Sequence, residues 1–348
     1  MSNITKLDEN FKIETNIQRP GLVMRSIDEE CFSIHGVYKE NGVYRRMPGK
    51  IAKSVSEAVG CLHLQTAGGR IRFVTDSEYI AVSVVLNNIS RMSHFSLTGS
   101  AGVDIYADGR YVCTIKPPYD FEDRYEGVID LGEKKSREIT INMPTYSGVS
   151  EFYIGLNKNS KTIKADSYRY EKPVVFYGSS ITQGGCASRP GMTYEAILSR
   201  KLEFDYINLG FSGNAKGEQE MADYIASLDM SVFVYDYDFN APTCEHLELT
   251  HENFFKTVRK KNPCLPVIMM SRPKFYTNEH IDKMKDIIKK TYVNAKNSGD
   301  KNVYFIDGIT LMNERIRDNG TVDGTHPTDL GFFSMAEKIE PILKKMLE

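Results

Sequence analysis

Two short segments, far apart in the chain, carry the residue types best suited to chemistry. The first is Gly178-Ser179-Ser180-Ile181-Thr182, directly after the apolar run Val174-Val175-Phe176-Tyr177. The second is Asp323-Gly324-Thr325-His326-Pro327, just before a last helical stretch. One offers a hydroxyl nucleophile on a strand-to-helix turn. The other offers a carboxylate and an imidazole on one tight loop. An imidazole can take the serine proton during attack on an acyl carbon, and a carboxylate can hold that imidazole in the right tautomer. Ser180, Asp323 and His326 are therefore the candidate catalytic residues. Singly, each segment has a plainer reading: Ser179 and Ser180 suit a helix cap, and Asp-Gly-Thr-His-Pro suits an Asx turn. Their joint occurrence, in this order, argues for acyl chemistry.

Such chemistry also needs donors for the oxyanion. Two candidates follow the next two apolar runs: Gly213, in Asn208-Leu-Gly-Phe-Ser-Gly-Asn214, and the side-chain amide of Asn240, in Tyr235-Asp-Tyr-Asp-Phe-Asn240. Each alone reads as an ordinary turn or loop cap, but all three sites follow successive strand ends, as one crevice requires. The loop 183–191 is rich in glycine and is the candidate wall of an acyl pocket, with Gly185 allowing close backbone approach. Arg189, in the same loop, is suited either to a polar substrate or to a carboxylate partner. Cys186 reads as packing rather than as a nucleophile. Tyr235, Tyr237 and Phe239 alternate along a strand and are expected mostly in the core.

The elements that must position these residues fall into two halves. Residues 1 to 168 read as β-structure, with strands near 71–75, 79–86, 103–107, 110–115, 127–131, 138–143 and 151–156 and an Asp108-Gly109 hairpin turn. Many strands with almost no helical period indicate a sandwich or jelly roll. Residues 169–348 alternate strand and helix. Strands are expected at 174–178, 205–211, 231–237, 266–271 and 302–306, and helices near 193–203, 216–227, 246–261, 277–298 and 328–347. That pattern indicates a parallel sheet covered on both faces. The polar stretch 159–167 reads as the linker. At 348 residues two domains are the natural division.

Composition narrows the function. A formal net charge of −2 gives no reason to expect nucleic acid or an anionic membrane surface. No apolar run is long enough to span a bilayer, and residues 1–10 contain no apolar core of a secretory signal. A cytoplasmic location is expected, with the six scattered cysteines as reduced thiols. The seven histidines lack metal-ligand spacing, so no metal site is expected. His35, His63 and His94 are assigned no role.

Taken together, Ser180, Gly213, Asn240 and His326 resemble, in chain order, the four blocks of the SGNH (GDSL-type) hydrolases. Gly178-Ser179-Ser180 stands where Gly-Asp-Ser is usual, and Ser212-Gly213 matches the second block. Asp238-Phe239-Asn240 departs from the usual Gly-x-Asn-Asp, whereas Asp323 and His326 match Asp-x-x-His fully. The first half resembles the β-sandwich that precedes one subgroup of these enzymes, through Gly102-Val103-Asp104-Ile105-Tyr106 against Gly-x-Asp-Leu-Tyr. The resemblance implies a flavodoxin-like three-layer α/β/α hydrolase domain behind a jelly-roll domain. It implies a serine esterase without a cofactor, its oxyanion held by the N–H groups of Ser180 and Gly213 and by the Asn240 amide. The expected substrate is an O-acetylated oligosaccharide or another small ester. An acyltransferase on the same scaffold, or a non-catalytic sugar-binding protein, are the alternatives. The sandwich has three roles open to it: binding sugar, completing the site, or holding a homo-oligomer together. The second is expected.

Overall fold

The computed structural model describes residues 15–274 and 276–348; the reading of residues 1–10 lies outside them. The first half is a pair of antiparallel sheets. One runs Leu22–Ser26, Gly148–Asn157, Tyr79–Asn87 and Arg124–Asp130 in spatial order. The other runs Thr162–Lys164, Arg70–Thr75, Arg137–Asn142, Val103–Ala107 and Arg110–Ile115, with Ser33–His35 also paired to Arg70–Thr75. Val82, Val84, Ile71, Phe73, Ile105, Ile139 and Ile154 fill the space between them. Period-two alternation makes this possible, since one face of each strand is apolar.

Two expectations need correction here. The stretch 159–167 is not simply a linker, because Thr162–Lys164 pairs with Arg70–Thr75 as an edge strand. Nor is the first half nearly free of helix: Gly49–Val55 and Glu57–Leu62 are helical, the second capped by the Ser56 side chain. Both helices are too short to show a clear period in sequence.

The second half is a five-stranded parallel sheet ordered Phe204–Gly210, Tyr170–Gly178, Val232–Asp236, Val267–Met270, Val303–Ile306. The first strand in the chain thus lies between the second and third, the flavodoxin-like order. Alternate residues of that strand serve two cores. Val175 and Tyr177 face the helices Gln219–Ala226, Cys244–Lys261 and Glu279–Asn297. Val174 and Phe176 face Tyr194–Leu202 and Asp329–Leu347. Burial on both faces explains the unbroken apolar run read from the sequence.

The two halves are knitted together. Met47, Ala52 and Val59, from the helical excursion of the first half, belong to the same apolar cluster as Val175 and Tyr177. Arg46 is buried and donates to the carbonyls of Gln65, Leu62, Asn208 and Gly210. Arg70 donates to Asp205 and to the Tyr206 carbonyl. Along Val103–Ala107, Val103 and Ile105 point into the sandwich core, whereas Asp104 and Tyr106 hold Arg189 of the second half. Asp104 is fully buried and also accepts from Asn142 and from the Gly191 N–H.

Removing one partner of such a buried pair strands the others in a dry site. Asp104→Ala is expected to cost about 3 kcal/mol of folding stability, read from the midpoint of chemical denaturation. An unchanged midpoint would mean that the Arg189 contact is dispensable.

Candidate active site

The turn that carries Ser180 begins where the first parallel strand ends, at the point where strand order reverses and crevices form. Gly178 is required there: a Cβ at this position would lie 1.9 Å from Asp236 Oδ1 and 2.2 Å from Thr182 Oγ1. Ser179 caps the short helix Ser180–Gln183, its hydroxyl accepting from the Ile181 N–H at 3.2 Å. The capping role therefore falls to Ser179, where an aspartate is usual and would serve as well. Ser180 is left half-buried, with its hydroxyl turned to His326.

Ser180 Oγ lies 2.9 Å from His326 Nε2, and His326 Nδ1 lies 2.7 Å from Asp323 Oδ2. Asp323 Oδ1 also accepts from the backbone N–H groups of Thr325 and His326, at 2.9 and 2.8 Å. Partial burial raises the Asp323 carboxyl, but the hydrogen bonds from His326 and the two amides outweigh it and hold the group down at about 2. Asp323 is thus an ionised acceptor at any ordinary pH. It places the proton of His326 on Nδ1 and leaves Nε2 free to accept from Ser180. The loop is pinched shut by Val322 N–H to the His326 carbonyl at 2.9 Å and Thr328 N–H to the Gly320 carbonyl at 3.0 Å. Lys274 clamps it from outside, donating to the Gly324 carbonyl at 2.8 Å.

The other candidates lie around this turn. Gln183 sits one helical turn beyond Ser180, and its Oε1 accepts from the Ser212 N–H at 3.0 Å, drawing the Gly213 loop alongside. Gly213 takes φ 70°, a conformation natural to glycine. Asn240 Oδ1 accepts from the Ala215 N–H at 3.3 Å, which fixes the orientation of its amide and ties the third strand end to the second. Among the described residues, no protein acceptor takes the Ser180 or Gly213 N–H or the Asn240 amide hydrogens. All three remain available as donors. Asp238, in the departing block, turns inward instead, to Arg272 Nε at 3.0 Å.

Gly185 is packed against Ser180 and His326. Its Cβ would meet the Ser180 carbonyl and Tyr146 Oη at 2.9 Å and His326 Cδ2 at 3.2 Å. Of the two roles open to Arg189, the structure displays the carboxylate partnership, with Asp104 at 2.9 Å. Tyr235 and Tyr237 are buried in the core, stacked with His251.

Sequence reasoning expected the first half to complete the site but named none of the residues that reach it. Tyr146 donates to the Ser180 carbonyl at 3.1 Å. Gln65 accepts from Gln183 at 2.5 Å, and the Thr145 carbonyl accepts from the same amide at 3.2 Å. His94 stands 5.5 Å from His326, ring to ring. Phe95, Tyr146 and Cys186 form a small apolar cluster beside the site. Burial, with the Asp323 carboxylate adding to it, pushes the Cys186 thiol up to about 12, so it is no nucleophile at neutral pH.

A buried acid lies under the turn. Asp236 Oδ1 accepts from Thr182 Oγ1 at 2.6 Å. Burial drives its carboxyl up to about 8 against that hydrogen bond, and the nearby Asp238 carboxylate pushes the same way as burial. The folded chain then keeps a proton that the unfolded chain loses at about pH 4. Stability should fall as pH rises from about 4 to about 8, and level off above. In Asp236→Asn that slope should flatten, seen as denaturation midpoints that differ less than in the wild type between about pH 5 and about pH 9. An identical slope in the variant would assign the effect elsewhere.

Comparison with known proteins places the chain and its fold. The profile of the GDSL-like lipase/acylhydrolase family matches residues 171–344, and that of the GxDLY N-terminus of SGNH-hydrolase-type esterases matches residues 25–162. A search of curated proteins returned no match. Among solved structures, one described as a GDSL-like lipase from Bacteroides ovatus ATCC 8483 is 28% identical, with a TM-score of 0.84 over 94% of this chain and 98% of that one. The salicylyl-acyltransferase SsfX3 of a tetracycline biosynthetic pathway is 19% identical, with a TM-score of 0.77 over 94% and 98%. An acetyl xylan esterase from the rumen bacterium Butyrivibrio proteoclasticus is 14% identical, with a TM-score of 0.60 over the same shares. Among the described residues, no helix is long and apolar enough to cross a membrane.

Proposed function

Since the chain belongs to the GDSL-like lipase/acylhydrolase family, we propose that it is a serine esterase that removes O-acetyl groups from carbohydrates through an acyl-enzyme. The observation that carries this reading is the unbroken relay Ser180–His326–Asp323, with contacts of 2.9 and 2.7 Å. Ser180 Oγ attacks the acyl carbon as His326 Nε2 takes its proton. The ester carbonyl oxygen becomes an oxyanion, held by the N–H groups of Ser180 and Gly213 and by the Asn240 amide. His326 then returns the proton to the departing sugar oxygen, leaving an acetylated Ser180. Water, deprotonated by the same imidazole, releases acetate and restores the hydroxyl. Asp323 stays ionised throughout and balances the imidazolium. The residues named need no cofactor.

Two observations support a small acyl group on a sugar. Gly185, Tyr146 and Cys186 crowd the space next to His326, and the acetyl xylan esterase aligns over 94% of this chain, both halves included. The salicylyl-acyltransferase SsfX3 has a similar fold, and acyl transfer at this site would differ from hydrolysis only in which hydroxyl resolves the acyl-enzyme. Location in the cytoplasm, and any self-association, belong to this proposal as well.

The test is acetate release from an aryl acetate and from acetylated xylo-oligosaccharides. Ser180→Ala should lose about 10³-fold or more in kcat on both. A serine-directed acylating reagent should label the wild type at Ser180 alone. Equal turnover by the variant would remove Ser180 from the mechanism. Transfer to an added alcohol that outpaces hydrolysis would convert the esterase into a transferase.

A further inference from the structure

Three side chains beside the candidate site share a property that acyl transfer does not use. A ring nitrogen of His94, the Cys186 sulfur and a ring nitrogen of His326 all lie within 4.8 Å of one another. Two imidazoles and one thiol form the donor set preferred by zinc and similar soft divalent ions. Around a zinc ion with normal bond lengths, such atoms would sit roughly 3.3–3.8 Å apart. The three donor atoms would have to draw together to close the site, and His94, being exposed, has room to move.

Local geometry favours the same reading. Cys186 has φ 73°, a conformation that residues other than glycine rarely adopt, and its sulfur lies within 4.8 Å of a ring nitrogen of each histidine. The thiol donates only weakly, at 3.5 Å, to the His94 carbonyl. His326 is already held as metal-bound histidines usually are: its Nδ1–H is held by the Asp323 carboxylate, which leaves Nε2 as the ligand atom. Nε2 is also the atom that faces Ser180.

We infer that His94, Cys186 and His326 form a binding site for zinc or a similar thiophilic divalent ion, and that its occupancy switches the enzyme off. The metal takes the lone pair of His326 Nε2, so the imidazole can no longer accept the Ser180 proton. Binding releases the thiol proton of Cys186 to solvent and forms a metal–thiolate bond, with no redox change. A fourth position stays open to water or to Ser180 Oγ. The inhibitory meaning of the site rests on the esterase reading; the metal site itself does not.

The experiment uses the full chain in chelator-free and thiol-free buffer, with two readouts. The first is Co2+ binding, followed by the thiolate-to-cobalt absorption band, which requires no catalysis. Wild type should show the band, and Cys186→Ser should lack it. The second is aryl acetate hydrolysis against Zn2+ concentration, each variant being scored against its own metal-free rate. Wild type should be inhibited, and rescued by a chelator. His94→Ala and Cys186→Ser should need about tenfold more zinc or beyond for half inhibition, the scale of losing a ligand or its support. A cobalt band with no esterase activity would leave the metal site standing and sink the proposed function instead. Absence of the band in the wild type overturns the inference, as does inhibition at the same zinc concentration in all three proteins.

Discussion

The side-chain amide of Gln183 is the contact on which the site depends most. It is buried, and its bonds reach three separate pieces of chain. Its NH2 group donates to Gln65 and to the Thr145 carbonyl, both in the first half, while its oxygen accepts from Ser212 in the Gly213 loop. Gln183 also closes the short helix that begins at Ser180. One planar group thus fixes the turn of Ser180 relative to the Gly213 loop and to the sandwich at once. A buried amide that satisfies each partner with so little freedom acts as a geometric standard, because any displacement would strand several polar groups in a dry region.

Charge reinforces this arrangement in an unusual way. Arg46 is buried without a carboxylate among the described residues; backbone carbonyls surround it, including that of Gly210 at 2.6 Å, and the Phe211 ring lies 4.7 Å away. Several carbonyl dipoles replace the missing counter-ion. Arg70 and Arg189 follow the more common route, each meeting an aspartate across the boundary. The boundary between the halves therefore resembles the interior of one protein more than a contact between two.

Much of the second half was legible because its signals are local. The apolar run Val174–Tyr177 announces a strand buried on both faces, and Asp323 and His326 lie on one loop, so their contact is visible in the spacing. Ser180, Gly213 and Asn240 were legible through topology, since each follows a strand end. The hidden part is made of long-range partners. Nothing near Tyr146, Gln65 or His94 in sequence signals that the fold carries them to Ser180, because the bonds span from 34 residues, for Tyr146, to 118, for Gln65. Arg189 was ambiguous for the same reason: only the fold supplies Asp104. The short helices between 49 and 62 escaped detection because tertiary packing, and not their own period, holds them.

Those same helices have a consequence for the birth of the protein. Met47, Ala52 and Val59 find their apolar partners only in the sheet and helices of residues 175–303. A ribosome delivers the first half well before those partners exist, so a greasy face waits exposed on the nascent chain. The sandwich keeps an apolar core of its own, but a chain cut at the boundary would leave the face of Met47, Ala52 and Val59 bare on one fragment and its partners bare on the other.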